Sequence, residues 1–195
     1  MRISKKVKFI DDYRRDKANR YAVVLAGGDG TRLRSITKAI AGDDRPKQFC
    51  SILGEETLLD KTRLRTAREV PSENTLFSLT KKHERFYDRS LHDVDDQLKV
   101  IQPEGRGTAP AILYSLFRIA KINSAATVAF FPSDHYFSDD HSFMSYVSSA
   151  FDMVKTNSSS IVLLGIEAEM PETSYGWIEP APSLAVRSIC LFPIG

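Results

Sequence analysis

The chain has 195 residues, a formal net charge of +2, and 42% hydrophobic against 27% charged residues, proportions that suit a globular protein with one good core. No apolar run is long enough to span a membrane, and the charged N-terminus lacks the apolar centre of a signal peptide. Two cysteines, Cys50 and Cys190, give neither a disulfide framework nor metal-ligand spacing and suit a reducing, cytoplasmic setting. Residues 1–20 hold eight Lys/Arg and three Asp/Glu, so the basic character sits in a leader rather than in the domain. No aromatic platform accompanies that charge, which speaks for a solvated, flexible or helical tail over 1–19 and against nucleic-acid binding.

Strand-like and helix-like segments then alternate along 20–195. Tyr21–Leu25 is a run of strand formers feeding into glycines. Thr57 to Glu69 reads as a helix with Thr57 as its N-cap. Thr75–Thr80 is a second strand, Lys81 to Val94 a polar surface helix, and Leu98–Ile101 a short third strand. Thr108 to Ile122 is an apolar helix that tolerates Pro110 in its first turn. Thr127–Phe131 reads as a buried strand. Over Asp139–Val154, Phe143, Val147, Ala150, Phe151 and Val154 recur at helical spacing. Ser160–Ile166 reads as a fifth strand. The alternation predicts an α/β fold with a doubly wound, mostly parallel sheet and right-handed crossovers, whose ligands sit beyond the carboxyl ends of the strands.

Unusual strings follow four of these strands. After Tyr21–Leu25 comes Leu25-Ala26-Gly27-Gly28-Asp29-Gly30-Thr31-Arg32-Leu33, and later Pro46-Lys47-Gln48-Phe49. Glycines allow a sharp turn and close backbone approach to a ligand, and Arg32 and Lys47 can neutralise phosphate charge. The G-x-x-x-x-G-K-[ST] phosphate loop is absent, and Leu33 stands where a dinucleotide fingerprint needs its third glycine. A turn without a ligand is the plain alternative. After Leu98–Ile101 comes Gln102-Pro103-Glu104-Gly105-Arg106-Gly107-Thr108, where Gly107-Thr108 suits either a base or sugar hydroxyl or an ordinary helix cap. Arg106 can serve a phosphate or pair with Glu104. After Thr127–Phe131 comes Pro132-Ser133-Asp134-His135, in which Asp134 is a hard-metal ligand or a turn cap and His135 is structural. After Ser160–Ile166 comes Pro171 to Pro180, with Gly176, Trp177 and Glu179 suiting either a sugar site or a plain hairpin.

The strings G-G-x-G-T-R-L and P-K-Q resemble the signature of sugar-phosphate nucleotidylyltransferases, most of all mannose-1-phosphate guanylyltransferases, a branch that Phe49 favours. Ser35 stands where the family usually has Pro, and Ala41-Gly42-Asp43-Asp44 looks inserted before the P-K-Q. The resemblance covers roughly 20 to 180. It implies the Rossmann-like fold of nucleotide-diphospho-sugar transferases, with the C-terminal part missing because the family's E-K-P string and second metal-binding Asp do not occur.

The implied reaction joins GTP and mannose 1-phosphate to GDP-mannose with release of pyrophosphate, with Mg2+ as cofactor. By the resemblance Arg32 and Lys47 are catalytic. Leu25, Ala26, Gly27, Gly28, Gly30, Thr31, Gln102, Gly107 and Thr108 bind nucleotide, Gly176 and Glu179 contact the hexose, and Asp134 holds the metal. The expected partners are these two substrates, with no nucleic acid and no membrane, and a homo-oligomer is left open. Two alternatives stand beside this reading. One is a nucleotide-binding or regulatory protein without turnover. The other is the same chemistry with another sugar 1-phosphate or nucleoside triphosphate.

Overall fold

A computed structural model describes residues 16–52, 54–166, 170, 171, 173 and 176–178. The chain folds as two compact units, Met1–Asp140 and His141–Gly195. The first runs β1 (Arg20–Leu25), α1 (Arg34–Ala41), α2 (Leu58–Thr66), β2 (Thr75–Thr80), α3 (Glu84–Ser90), β3 (Lys99–Gln102), α4 (Thr108–Ile122) and β4 (Thr127–Pro132). Its four strands lie in the order β3-β2-β1-β4 and every pairing is parallel.

Side-chain alternation along the central strands sends residues to two separate cores, which is what a sheet covered on both faces requires. On one face Val24, Ala26, Phe77 and Leu79 pack with Leu59, Tyr87 and Leu91 from the α2 and α3 region. On the other, Tyr21, Val23, Leu76 and Val100 pack with Ile119 of α4. The expected doubly wound α/β sheet is therefore present. Leu25 is level with Ser78 and with Pro132, and Thr80 with Gln102. So β2 and β3 run two residues past β1, and the chain leaving β1 passes over their ends.

Local signals set most boundaries. Thr57 caps α2 as expected: its Oγ1 accepts from the Asp60 amide at 3.1 Å, and its own amide donates to Asp60 Oδ2 at 3.3 Å, a reciprocal capping box. The helix stops at Thr66, short of Glu69. α4 has the bounds read from the sequence, and Ala111, Ser115 and Ile119 form its buried stripe.

Three expectations need correction. Thr127–Phe131 is not a buried strand, because β4 lies at one end of the sheet order and only Phe131 in it is buried. The segment 81–94 is not a polar surface helix. It opens with a turn over Lys81–His83, becomes α3 only over Glu84–Ser90, and sinks His83, Tyr87 and Leu91 into the interior. Ser160–Ile166 forms no strand, only a bridge at Gly165, and Ile161 is 89% exposed. An apolar run becomes a strand only when a neighbouring backbone completes its ladder.

α1 was not anticipated from the sequence. It ends at Gly42, whose φ of 76° is the left-handed helix stop. The inserted-looking Asp43-Asp44 is anchored: Asp43 accepts from Arg45 Nε and Nη2 at 2.8 Å each, and Asp44 pairs with Arg85. At the end of the first unit, Arg65, with a side chain 3% exposed, holds Asp140 at 2.5 Å. The helix α5 (Asp140–Thr156), which runs through the second unit from its residue 141 onward, buries Met144, Val147 and Phe151, close to the stripe expected there. No helix among the described residues is long and apolar enough to cross a membrane.

Candidate functional site at the strand ends

The topology fixes where a crevice forms. The chain steps from β1 to β2 on one side, then returns from β3 to β4 on the other side of β1. Neighbouring connections thus diverge at the carboxyl ends of β1 and β4, the switch point where open α/β sheets take ligands. The glycine loop leaves β1 there, and Ser133-Asp134 leaves β4.

The loop is held by its own backbone carbonyls. The Leu25 carbonyl accepts from Ser133 Oγ at 2.7 Å, and the Ala26 amide donates to the Ser78 carbonyl at 2.9 Å. Gln48, 3% exposed, donates from Nε2 to the carbonyls of Ala26 and Gly28 at 2.9 and 2.8 Å. Thr80 Oγ1 donates to the Gly27 carbonyl at 2.8 Å. With these carbonyls satisfied, the loop is pre-organised rather than floppy.

Two glycines are needed for distinct reasons. A Cβ on Gly27 would stand 2.9 Å from Thr80 Oγ1, so close approach forbids one. Gly30 has a φ of 58°, a left-handed conformation that other residues adopt at a cost, and its Cβ would meet the Lys47 amide nitrogen at 3.2 Å. The lysine turn therefore lies directly against the loop. Thr31 and Arg32 are exposed in the short turn over Thr31–Leu33, and Arg32 has no carboxylate partner among the described residues.

Lys47 sits in a single turn over Lys47–Phe49. Its Nζ lies 2.7 Å from Asp134 Oδ2, with the two side chains 31% and 22% exposed. Two residues that the sequence reading assigned to phosphate and metal are thus brought together. His135 lies 3.9 Å from Asp134 Oδ1, and its ring is near Phe137. At the end of β3, Gln102 is 8% exposed and donates to Ser78 Oγ at 3.2 Å. Its amide is within 3.7 Å of where a Gly27 Cβ would be. Gly107, with φ 91°, caps α4, and Thr108 opens it, both exposed. Arg106 is paired with Glu104 at 2.6 Å. Gly176 belongs to the second unit and is exposed. Glu179 lies outside the described residues.

Sequence reading missed several members of this neighbourhood. Thr80 and Gln48 hold the loop carbonyls. Lys82 and His83 hold Asp29: Lys82 Nζ is 2.5 Å from the carboxylate and His83 Nε2 is 3.3 Å from it. The hydrogen bond from Lys82 holds the Asp29 carboxyl below its ordinary range. Burial lowers the His83 pKa, against the pull of Asp29. The signal that could have found Thr80, Lys82 and His83 is their place at and just after the carboxyl end of β2.

A family model described as nucleotidyl transferase matches residues 21–190, the stretch that contains every element of this crevice. The chain belongs to the nucleotidyl transferase family. Among curated relatives, xanthan biosynthesis protein XanB of Xanthomonas campestris pv. campestris (strain B100) is 30% identical over 169 residues, 86% of this chain and 35% of the relative. Mannose-1-phosphate guanylyltransferase 2 of Escherichia coli O157:H7 is 32% identical over 162 residues, 81% of this chain and 32% of the relative. Among solved structures, a mannose-1-phosphate geranyltransferase from Thermus thermophilus superposes with a TM-score of 0.59 at 30% identity, covering 70% of this chain and 38% of that one. The chain spans about a third of the length of the curated relatives it matches.

Proposed function

We propose that the whole protein joins GTP and mannose 1-phosphate to GDP-mannose and releases pyrophosphate, as a magnesium-dependent mannose-1-phosphate guanylyltransferase. The observation that carries the reading is the meeting of Lys47 and Asp134, 2.7 Å apart, beside the glycine loop of a nucleotidyl transferase. The guanylyltransferase relative supports the choice of substrates.

The chemistry asks little of a general base. A sugar phosphate oxygen attacks the α-phosphorus of the nucleotide while the bond from the α-phosphorus to the bridging oxygen breaks, and pyrophosphate leaves. The attacking monoester is already largely dianionic at neutral pH, its second pKa being about 6. The barrier is therefore repulsion and alignment, to be met by positioning and by fixed positive charge. In this reading the amides of Gly27, Gly28, Gly30 and Thr31 line the phosphates, and exposed Arg32 neutralises the departing pyrophosphate. Lys47 exchanges the Asp134 carboxylate for phosphate oxygens, one anionic partner for another. Gln102, Gly107 and Thr108 flank the nucleoside, and Gly176 and Glu179 serve the hexose.

No three His, Cys, Asp or Glu side chains gather among the described residues. Asp134 would supply one hard-oxygen ligand to magnesium shared with substrate phosphates. Magnesium bound there would supply Lewis-acid polarisation of the phosphate oxygens.

The test is to incubate the full-length protein with GTP, mannose 1-phosphate and magnesium and to measure GDP-mannose and pyrophosphate together. We expect stoichiometric formation of both, and GTP preferred over UTP by at least about tenfold, or about 1.4 kcal/mol. Tight nucleotide binding without either product would favour the non-catalytic alternative. Equal use of UTP would move the protein to a different nucleotide sugar.

A further inference from the structure

One loop residue contradicts the loop's purpose. Asp29 lies between Gly28 and Gly30, inside the turn that is to receive an anion, and its side chain is 41% exposed. A carboxylate there repels phosphate, and at a range below a Debye length of about 8 Å ordinary salt does not remove the repulsion. The fold answers this from the turn that follows β2. Both Asp29 oxygens are 2.5 Å from Lys82 Nζ, and His83 Nε2 is 3.3 Å from Oδ1.

His83 is 5% exposed, and its Nδ1 is buried without a hydrogen-bond partner, so the polar contact the ring makes is the one with Asp29. The same segment also reaches the lysine turn. The His83 ring packs edge-on against Phe49 at 6.1 Å, and Phe86 stacks on Phe49 at 6.0 Å. Arg45 and Arg85 both lie over the Phe86 ring. The stretch 81–86 is thus a platform that holds the Asp29 loop with one end and the Lys47 turn with the other.

We propose that Lys82 is a charge-compensating residue for the phosphate loop: its ammonium cancels the Asp29 carboxylate and so leaves the loop able to accept an anion. Lys82 touches neither Lys47 nor Asp134 and acts through Asp29. The inference rests on the nucleotide reading given above and adds to it a residue outside the G-G-x-G-T-R-L and P-K-Q strings. It makes a specific claim: the harm done by removing Lys82 is the exposure of Asp29, so removing the Asp29 charge as well repairs it.

The experiment is a binding cycle on the full-length protein, titrated calorimetrically with GTP and magnesium, at about 0.05 M and about 0.5 M KCl. Lys82 is half exposed, so folding of the variants is checked by thermal melting. At low salt, Lys82→Ala is expected to weaken GTP binding by about tenfold or more. Asp29→Asn alone is expected to bind at least as tightly as wild type. Asp29→Asn/Lys82→Ala should return to within about threefold of wild type. The Lys82→Ala deficit should narrow at high salt. Lys82→Ala binding like wild type, or a double variant no better than Lys82→Ala, overturns the proposal and leaves the nucleotide reading standing. If wild type binds none of GTP, ATP or UTP, the nucleotide reading falls and this inference with it.

Discussion

Replacing Gly27 by alanine would place a methyl group 2.9 Å from Thr80 Oγ1, 3.5 Å from the Leu79 carbonyl carbon and 3.7 Å from Gln102 Nε2. Thr80 is fully buried, and its hydroxyl donates to the Gly27 carbonyl at 2.8 Å. A β-branched side chain inside a strand has few rotamers to escape into, so the clash must be relieved by shifting the loop or by breaking that hydrogen bond. Overpacking of this kind costs about 1–3 kcal/mol, and a lost hydrogen bond about 1 kcal/mol. Taken together, Gly27→Ala should destabilise the protein by about 2–4 kcal/mol. In a domain of this size that is a fall in Tm of roughly 4–16 °C. Thermal and urea melts of a double-mutant cycle check the cause. Thr80→Ala removes the clashing oxygen, so Gly27→Ala in that background should cost less than about 0.5 kcal/mol. Equal costs in the two backgrounds would refute the close-approach argument and leave Gly27 as an ordinary turn glycine.

Lys47→Ala should abolish transfer in the full-length protein while moving the melting temperature little, because a partly exposed ion pair contributes only about 0–1 kcal/mol; turnover within tenfold of wild type would remove Lys47 from the mechanism. Asp134→Asn should sharply raise the magnesium concentration needed for activity, since the amide keeps the shape and removes the charge; an unchanged magnesium titration would make Asp134 a turn residue. Stability should fall as the pH drops below about 6.5, the pKa of an unfolded histidine. His83 is held below that value by burial, so the unfolded chain binds its proton first and the stabilisation is lost as pH falls through the folded value. The neighbouring charges Asp29, Lys82 and Asp44 act on the same ring. Urea melts from pH 7.5 to 5 should show a slope that His83→Gln flattens, and an equal slope in the variant would acquit His83.

Features written contiguously in the chain were legible in its sequence. Tyr21–Leu25 running into glycines gave β1 and its loop, because an apolar β-branched run and a glycine turn are both local preferences. Thr57 announced the start of α2 through a cap that needs only residues three apart. The bounds of α4 followed from its apolar stripe, with Gly107 in front of it. Lys47 and Asp134 could each be named as candidates, since a lysine in P-K-Q and an acid after a strand carry their chemistry on their faces.

What the sequence could not supply was adjacency. Nothing near Lys47 in the chain says that its ammonium lies 2.7 Å from Asp134. That distance exists because the sheet order sets β4 beside β1, a choice made by packing of two cores and not by any local run. The same holds for Asp29, to which the turn after β2 brings Lys82 and His83. It holds in the negative for Ser160–Ile166, an apolar run that predicts a strand and forms only a bridge at Gly165. Hydrogen-bonded pairing is a property of two segments at once, so composition can propose a strand but only a neighbouring backbone can make one.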